Sequence, residues 1–163
     1  MPTRTHLIVG GTTYGLRRAG PDDVPAIVAL LAADQLGADR DGGPDLGPYR
    51  RAFTAIDADP AQLLVVVTEL AGPVVGTMQL TVIPGLARRG ALRAQLEAVR
   101  VDVRLRGRGI GSAMLSWGIA EARRRGCVLV QLTTDKRRGD AHRLYQRLGF
   151  VNSHEGFKLP LVP

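Results

Sequence analysis

Arg106-Gly107-Arg108-Gly109-Ile110-Gly111 is the stretch on which the fold turns. It stands between a β-branched run, Val99-Arg100-Val101-Asp102-Val103, and a helix-patterned stretch from Ile110 to Arg125. A strand, a glycine-dense turn and a helix start together make an anion-binding device. The turn offers backbone N–H groups, and the helix N-terminus adds partial positive charge. Glycine is needed where a side chain would obstruct close-approaching phosphates or a tight backbone. The flanking arginines add full charge. The segment predicts a phosphorylated ligand.

Upstream, Thr13–Ala19 reads as a strand, and Pro21-Asp22-Asp23 opens a helix with Val24, Ile27, Val28 and Leu31 on one face. Gly37–Pro48 reads as a loop, Tyr49–Ala58 as a second helix. Leu63–Leu70 and Val74–Ile83, joined by Ala71-Gly72-Pro73, read as a hairpin. Leu86–Gln95 is basic and irregular, and Leu96–Val103 is the strand leading to the turn. The helix that follows is expected to bury Ile110, Ala113, Met114 and Trp117. Cys127–Thr134 reads as a strand and Asp140–Leu148 as a helix with Ala141, Leu144, Tyr145 and Leu148 inward. Phe150–Val151 and Phe157–Leu161 read as a final pair of strands.

Two phosphate-binding schemes fail on the residues. A nucleotide P-loop needs Gly-Lys-Ser/Thr, and no such triplet occurs. A dinucleotide fingerprint counted from Gly107 meets Ser112 at its third glycine, and the 52 residues after Gly111 are too few for the remaining strands. A third scheme fits. Arg106, Gly109 and Gly111 fill the Gln/Arg-x-x-Gly-x-Gly/Ala signature of motif A of the GCN5-related N-acetyltransferases (GNATs). Arg104, Gly107 and Gly109 match one step early; the five-residue spacing from Val101 favours the first alignment. Ala141-His142-Arg143-Leu144-Tyr145-Gln146-Arg147-Leu148-Gly149-Phe150 resembles the family's motif B, Ala-x-x-x-Tyr-x-x-x-Gly-Phe. The element order from Thr13 to Leu161 is similar as well, so the resemblance covers nearly the whole chain.

The resemblance implies an α/β (α+β) fold in one domain over residues 1–163. Its centre is a mixed, mostly antiparallel, splayed sheet of six or seven strands with about four helices. It implies acetyl-CoA as co-substrate. The backbone of Val99, Arg100 and Val101 bonds the pantetheine arm, and Arg106, Gly107, Arg108, Gly109, Ile110, Gly111 and Ser112 hold the pyrophosphate, with no metal. It implies an N-acetyltransferase in which a primary amine, of a small molecule or of a protein, attacks the thioester directly. Tyr145 is the general acid for the departing thiolate, and Glu97 or a water is the base. Alternation places Glu97 on one face with Val99, Val101 and Val103, an apolar setting that asks for a partner or a role. Where family members often carry asparagine three residues before the motif B alanine, this chain has Arg138.

Several other residues carry weaker readings. His142 precedes Tyr145 by three and sits at helical neighbour distance. His154 and Glu155 fall on the family's acceptor side. Lys136-Arg137-Arg138 reads as a phosphate contact or a solvated face. Cys127 reads as a buried thiol, and the histidines lack metal-ligand spacing.

Bulk properties bound the remaining choices. The chain has 163 residues, 45% of them hydrophobic, enough for a real core. The net charge is +7, and Lys136 and Lys158 are the only lysines among the cations. That basicity suits a polyanionic partner. Nucleic acid is disfavoured because aromatics are 4% and no stacking platform or recognition helix is apparent. Two alternatives stay open: an RNA-associated protein, including an aminoacyl-tRNA acetyltransferase, and a non-catalytic acyl-CoA sensor. No apolar leader or membrane-length run occurs, so the expectation is a cytoplasmic protein with no membrane partner. A homodimer follows from the family resemblance alone.

Overall fold

The computed structural model describes residues 5–34 and 40–161. The chain divides into two compact units, Met1–Gln131 and Leu132–Pro163. The first is built on a six-stranded sheet in sequential order: β1 (Thr5–Val9), β2 (Thr12–Arg18), β3 (Gln62–Glu69), β4 (Val74–Ile83), β5 (Leu92–Val101) and β6 (Cys127–Gln131). Every neighbouring pair is antiparallel except β5 and β6, which run parallel. That parallel step requires a crossover, which α4 (Ile110–Arg124) supplies.

Strand β1 is an addition to the sequence reading. Gly10 and Gly11 both have positive φ (55° and 80°), the backbone demanded by a two-residue hairpin turn, and Val9 pairs Thr12 across it. The remaining helices of this unit are α1 (Val24–Ala32), α2 (Gly47–Ala58) and the single turn α3 (Ala87–Gly90). In α3, Arg88 and Arg89 are left-handed. Strand β5 starts at Leu92, earlier than its irregular-looking sequence implies. The loop expected over Gly37–Pro48 lies partly outside the described residues.

Alternation along the strands separates two buried layers. Val66 packs with Val24, Ile27, Val28 and Phe53 of α1 and α2. On the opposite face, Gly76 and Met78 approach Met114 and Gly118 of α4. Gly118 permits this approach: a Cβ there would lie 2.9 Å from Met78 Cε and 3.3 Å from Leu96 Cδ2. Within α4 the buried residues are Ile110, Met114, Leu115, Gly118 and Ala122, whereas Ala113 and Trp117 are half-buried. Asp23, the buried acid before α1, accepts two hydrogen bonds from Arg17 (2.6 and 2.8 Å) and one from the Gly20 N–H (2.7 Å).

The second unit contains α5 (Gly139–Arg147). The expected final strands do not form: residues 150–160 carry no regular structure, and Val151, Phe157, Leu159 and Leu161 are exposed. Their alternating apolar pattern has no strand partner among the described residues. None of the α5 residues is fully buried, but Ala141, Leu144, Tyr145 and the following Leu148, the face expected inward, are half-buried, whereas Arg143, Gln146 and Arg147 are exposed.

Candidate functional site

The β5–β6 ladder ends early. Leu92, Arg93, Ala94 and Gln95 pair with β6, the last of them with Gln131. Beyond Gln95, β5 pairs only with β4, as far as Val101 opposite Gly76. The backbone of residues 96–101 therefore offers one edge for an extended, amide-bearing chain to add as a strand. Val99, Arg100 and Val101 lie on that stretch, as the sequence reading requires.

A β-bulge interrupts the same stretch. Gln79 faces Glu97 and Thr77 faces Arg100, so one extra residue is inserted on β5. Ala98 takes φ +52°, a left-handed conformation unusual for a residue with a Cβ. The bulge corrects the expected environment of Glu97. Strict alternation would group it with Val99, Val101 and Val103. Instead Glu97 shares the register face of Gln79 and Arg100, while Val101 falls on the face of Gly76. Glu97 is exposed, and its carboxylate makes no hydrogen bond or ion pair among the described residues. Val103 is exposed in the following 3-10 turn.

From Val101 the chain passes through that turn, Val103–Leu105, into the glycine segment. Asp102 caps it, accepting from the Arg104 N–H (2.9 Å) and from Arg104 Nε and Nη2 (3.0 and 2.7 Å). The Arg104 guanidinium, helped by the backbone N–H, holds the Asp102 carboxyl down at about 2. Arg106 folds back so that its Nε donates to the Val101 carbonyl at 3.1 Å, tying the turn to the strand end. Asp102 escaped the sequence reading, although an Asp two residues before an Arg at a strand end is an Asx-turn signal.

Gly107 (φ +75°) and Gly109 (φ +97°) are both left-handed, which explains their identity. Gly109 is the N-cap of α4, and its carbonyl accepts from the Ala113 N–H. The N–H groups of Ile110, Gly111 and Ser112 fall in the first helical turn, where no intrahelical acceptor exists. Arg106, Gly107, Arg108 and Gly109 are exposed around them. The strand edge and this cluster of donors are consecutive in the chain, which suits a ligand with an amide-bearing arm and a phosphate end. Arg100 adds a side-chain contact that sequence did not reveal. Its Nη2 lies 3.5 Å from Asp34 Oδ2 just after α1, both side chains being largely buried.

In the second unit, motif B has a local physical basis. Gly149 (φ +88°) closes α5 in a Schellman arrangement: its N–H donates to the Gln146 carbonyl and the Phe150 N–H to the Tyr145 carbonyl. The returning Phe150 ring meets the Tyr145 ring edge-on, with centroids 5.9 Å apart. Tyr145 is thus held at the last turn of the helix by the glycine and the phenylalanine that follow it. His142 is engaged elsewhere, its Nε2 bonded to the Asp135 carbonyl at 3.1 Å. Arg137 pairs with Asp135, and His154 Nδ1 meets Ser153 Oγ at 2.8 Å. Burial pushes the Cys127 thiol up, away from the thiolate a nucleophile needs. Among the described residues no three His, Cys, Asp or Glu side chains converge on a metal position.

Comparison with known proteins decides between the schemes. The model of the acetyltransferase (GNAT) family matches residues 26–150. The chain belongs to this family. It is similar to a transcriptional regulator from Bacillus halodurans C-125 of known structure. The two are 42% identical, with a TM-score of 0.87 over 91% of this chain and 99% of that one. It has the fold of glucosamine-6-phosphate N-acetyltransferase from Arabidopsis thaliana, at 18% identity and a TM-score of 0.75 over 91% of this chain and 99% of that one. A stretch of 53 residues is 47% identical to aminoalkylphosphonate N-acetyltransferase of Salmonella typhimurium, covering 32% of this chain. That match spans 34% of the Salmonella enzyme, about a third of its length. The six-stranded mixed sheet is the GNAT-like α/β architecture expected from the sequence. No helix among the described residues is long and apolar enough to cross a membrane.

Proposed function

We propose that this GNAT protein is an N-acetyltransferase that moves the acetyl group of acetyl-CoA to a primary amine by direct attack. The observation that carries this reading is the unpaired edge of β5 over residues 96–101, continuous with the donor-rich turn at 106–112. The pantetheine amides add to the β5 edge at Val99, Arg100 and Val101. The pyrophosphate sits on the N–H groups from Gly107 to Ser112, with Arg106 and Arg108 beside it.

A lysine-like amine must lose its proton before it attacks, which costs roughly 4 kcal/mol near neutrality. Glu97, exposed and without a partner beside the bulge, takes that proton directly or through a water. The amine nitrogen bonds the thioester carbon, the C–S bond breaks, and the thiolate takes the Tyr145 phenolic proton. The new amide nitrogen passes its remaining surplus proton through water to the Tyr145 phenolate, and Glu97 returns its proton to solvent, so the products are the amide, free CoA and one proton.

The 53-residue similarity to an aminoalkylphosphonate N-acetyltransferase makes amines bearing an anionic group the first acceptors to test. The protein works in the cytoplasm, as one catalytic domain, and forms a homodimer.

The test is thiol release from acetyl-CoA against a panel of amines that includes aminoalkylphosphonates. The wild type is run beside Tyr145→Phe and Glu97→Gln. Loss of the general acid lowers kcat by about 10²-fold. Equal rates for wild type and Tyr145→Phe remove the tyrosine from the mechanism. CoA binding without turnover on any amine replaces the enzyme with a sensor.

A further inference from the structure

The C-terminal half of α4 and the start of the sheet border an open groove of about 570 Å³, within the size range of small-molecule sites. Trp117, the chain's one tryptophan, lines it half-buried, together with Leu16, Leu63 and Val65, which are buried. Its rim carries Arg18, Arg124 and Arg125.

These arginines are held in place yet not used up. Arg18 commits Nε and Nη2 to Asp57, Arg124 commits Nε and Nη2 to Glu121, and Arg125 commits Nε to Glu121 and Nη1 to the Pro60 carbonyl. Each guanidinium keeps one terminal NH₂ without a partner among the described residues: Nη1 of Arg18, Nη1 of Arg124 and Nη2 of Arg125. Glu121 serves two arginines at once, so the rim keeps an excess of positive charge. Ion pairing has already fixed the side chains, which lowers the ordering cost of an added ligand.

A half-buried indole and guanidinium donors with free terminal NH₂ groups form a constellation for an aromatic anion: the ring packs on the indole, and a carboxylate, sulfonate or phosphate meets the arginines. We propose that this cleft is a second ligand site, for aromatic or planar apolar anions. It is separate from the glycine turn, because Trp117 to Arg125 lie about two to four turns along α4 from Gly109. The proposal does not depend on the chemistry assigned to Glu97 or Tyr145.

The chain's one tryptophan makes the test direct. Anilinonaphthalene sulfonate is titrated against the folded protein, with Trp117 emission as the readout. The expected result is saturable one-to-one quenching that saturating CoA leaves unchanged. Binding weakens at least about tenfold for the neutral phenylnaphthylamine and in Arg124→Gln, an exposed position whose loss leaves Arg125 on Glu121. Ala120→Phe fills the cleft without altering charge and abolishes the quenching. The proposal is overturned if the neutral probe binds equally well, if CoA displaces the sulfonate, or if Ala120→Phe, still cooperatively folded, binds like wild type.

Discussion

Replacing Gly109 by alanine is the sharpest perturbation of the glycine turn. Gly109 has φ +97°, beyond the small left-handed region open to residues with a Cβ, and such conformations cost about 1–2 kcal/mol. An added Cβ would also lie 3.2 Å from Val9 Cγ1, a contact that one side must yield. Together these amount to about 2 kcal/mol. The cost has two outlets. If the turn keeps its shape, the folded state loses stability, equivalent to a fall in Tm of about 4–8 °C for a chain of this size. If the turn relaxes, its N–H groups swing off the phosphates, and CoA binding weakens by up to about 30-fold. Gly109→Val narrows the outcome, because a β-branched residue resists positive φ most strongly. Gly126→Ala is the control: φ is +81° at the other end of α4, and no heavy atom stands within 4 Å of the added Cβ. Calorimetric titration with CoA and thermal melts on the same samples separate the outlets. We expect Gly109→Ala and Gly109→Val to lose CoA affinity about 5–30-fold. Gly126→Ala should lower Tm while binding CoA like wild type. Wild-type CoA affinity together with a wild-type Tm in both Gly109 variants would refute the reasoning, because the strain would then appear in neither outlet.

Three further outcomes follow from other sites. Removing the Glu97 carboxylate (Glu97→Gln) should lower kcat at neutral pH with little change in the CoA KM, and the deficit should shrink as pH approaches the amine pKa. Arg17 holds the Asp23 carboxyl below the usual carboxylate range, chiefly through its hydrogen bonds. The stability from that pair is therefore full above about pH 4 and is lost as pH falls through the lowered folded value. Asp23→Asn should cost about 2–3 kcal/mol at pH 7 in denaturant melts, a difference that narrows in acid. Gly118→Ala should destabilise by about 1–3 kcal/mol, at the low end if the Met78 thioether rotates away, as read by urea midpoints.

The parts of this fold legible in the sequence are those fixed by local chemistry. Val74–Ile83 is a strand over the expected residues, and the helix after the glycine turn starts at Ile110 as its pattern requires. The turn itself was readable because Gly107 and Gly109 occupy backbone that other residues resist. The differences between pattern and fold have equally specific causes. β1 is hidden in the sequence because its signal is a Gly10-Gly11 turn rather than a long β-branched run. The surroundings of Glu97 differ from the sequence pattern because alternation assumes an unbroken ladder, and one inserted residue at Ala98 exchanges the faces. The apolar alternation of Phe157, Leu159 and Leu161 suggested a strand, but a strand needs a neighbour, and no sequence pattern supplies one. Arg100 with Asp34, and Asp102 with Arg104, became visible only when the chain was folded, although the second pair is local enough to have been read.

The assignment of the β5 edge and the glycine turn to CoA is open to one direct measurement: backbone amide chemical shifts during titration with CoA. The account predicts that the largest changes fall on residues 96–101 and 107–112, with Gly107, Gly109, Gly111 and Ser112 foremost, while the amides around Trp117 stay unmoved. Unchanged amides across both stretches in a protein that binds CoA would contradict it.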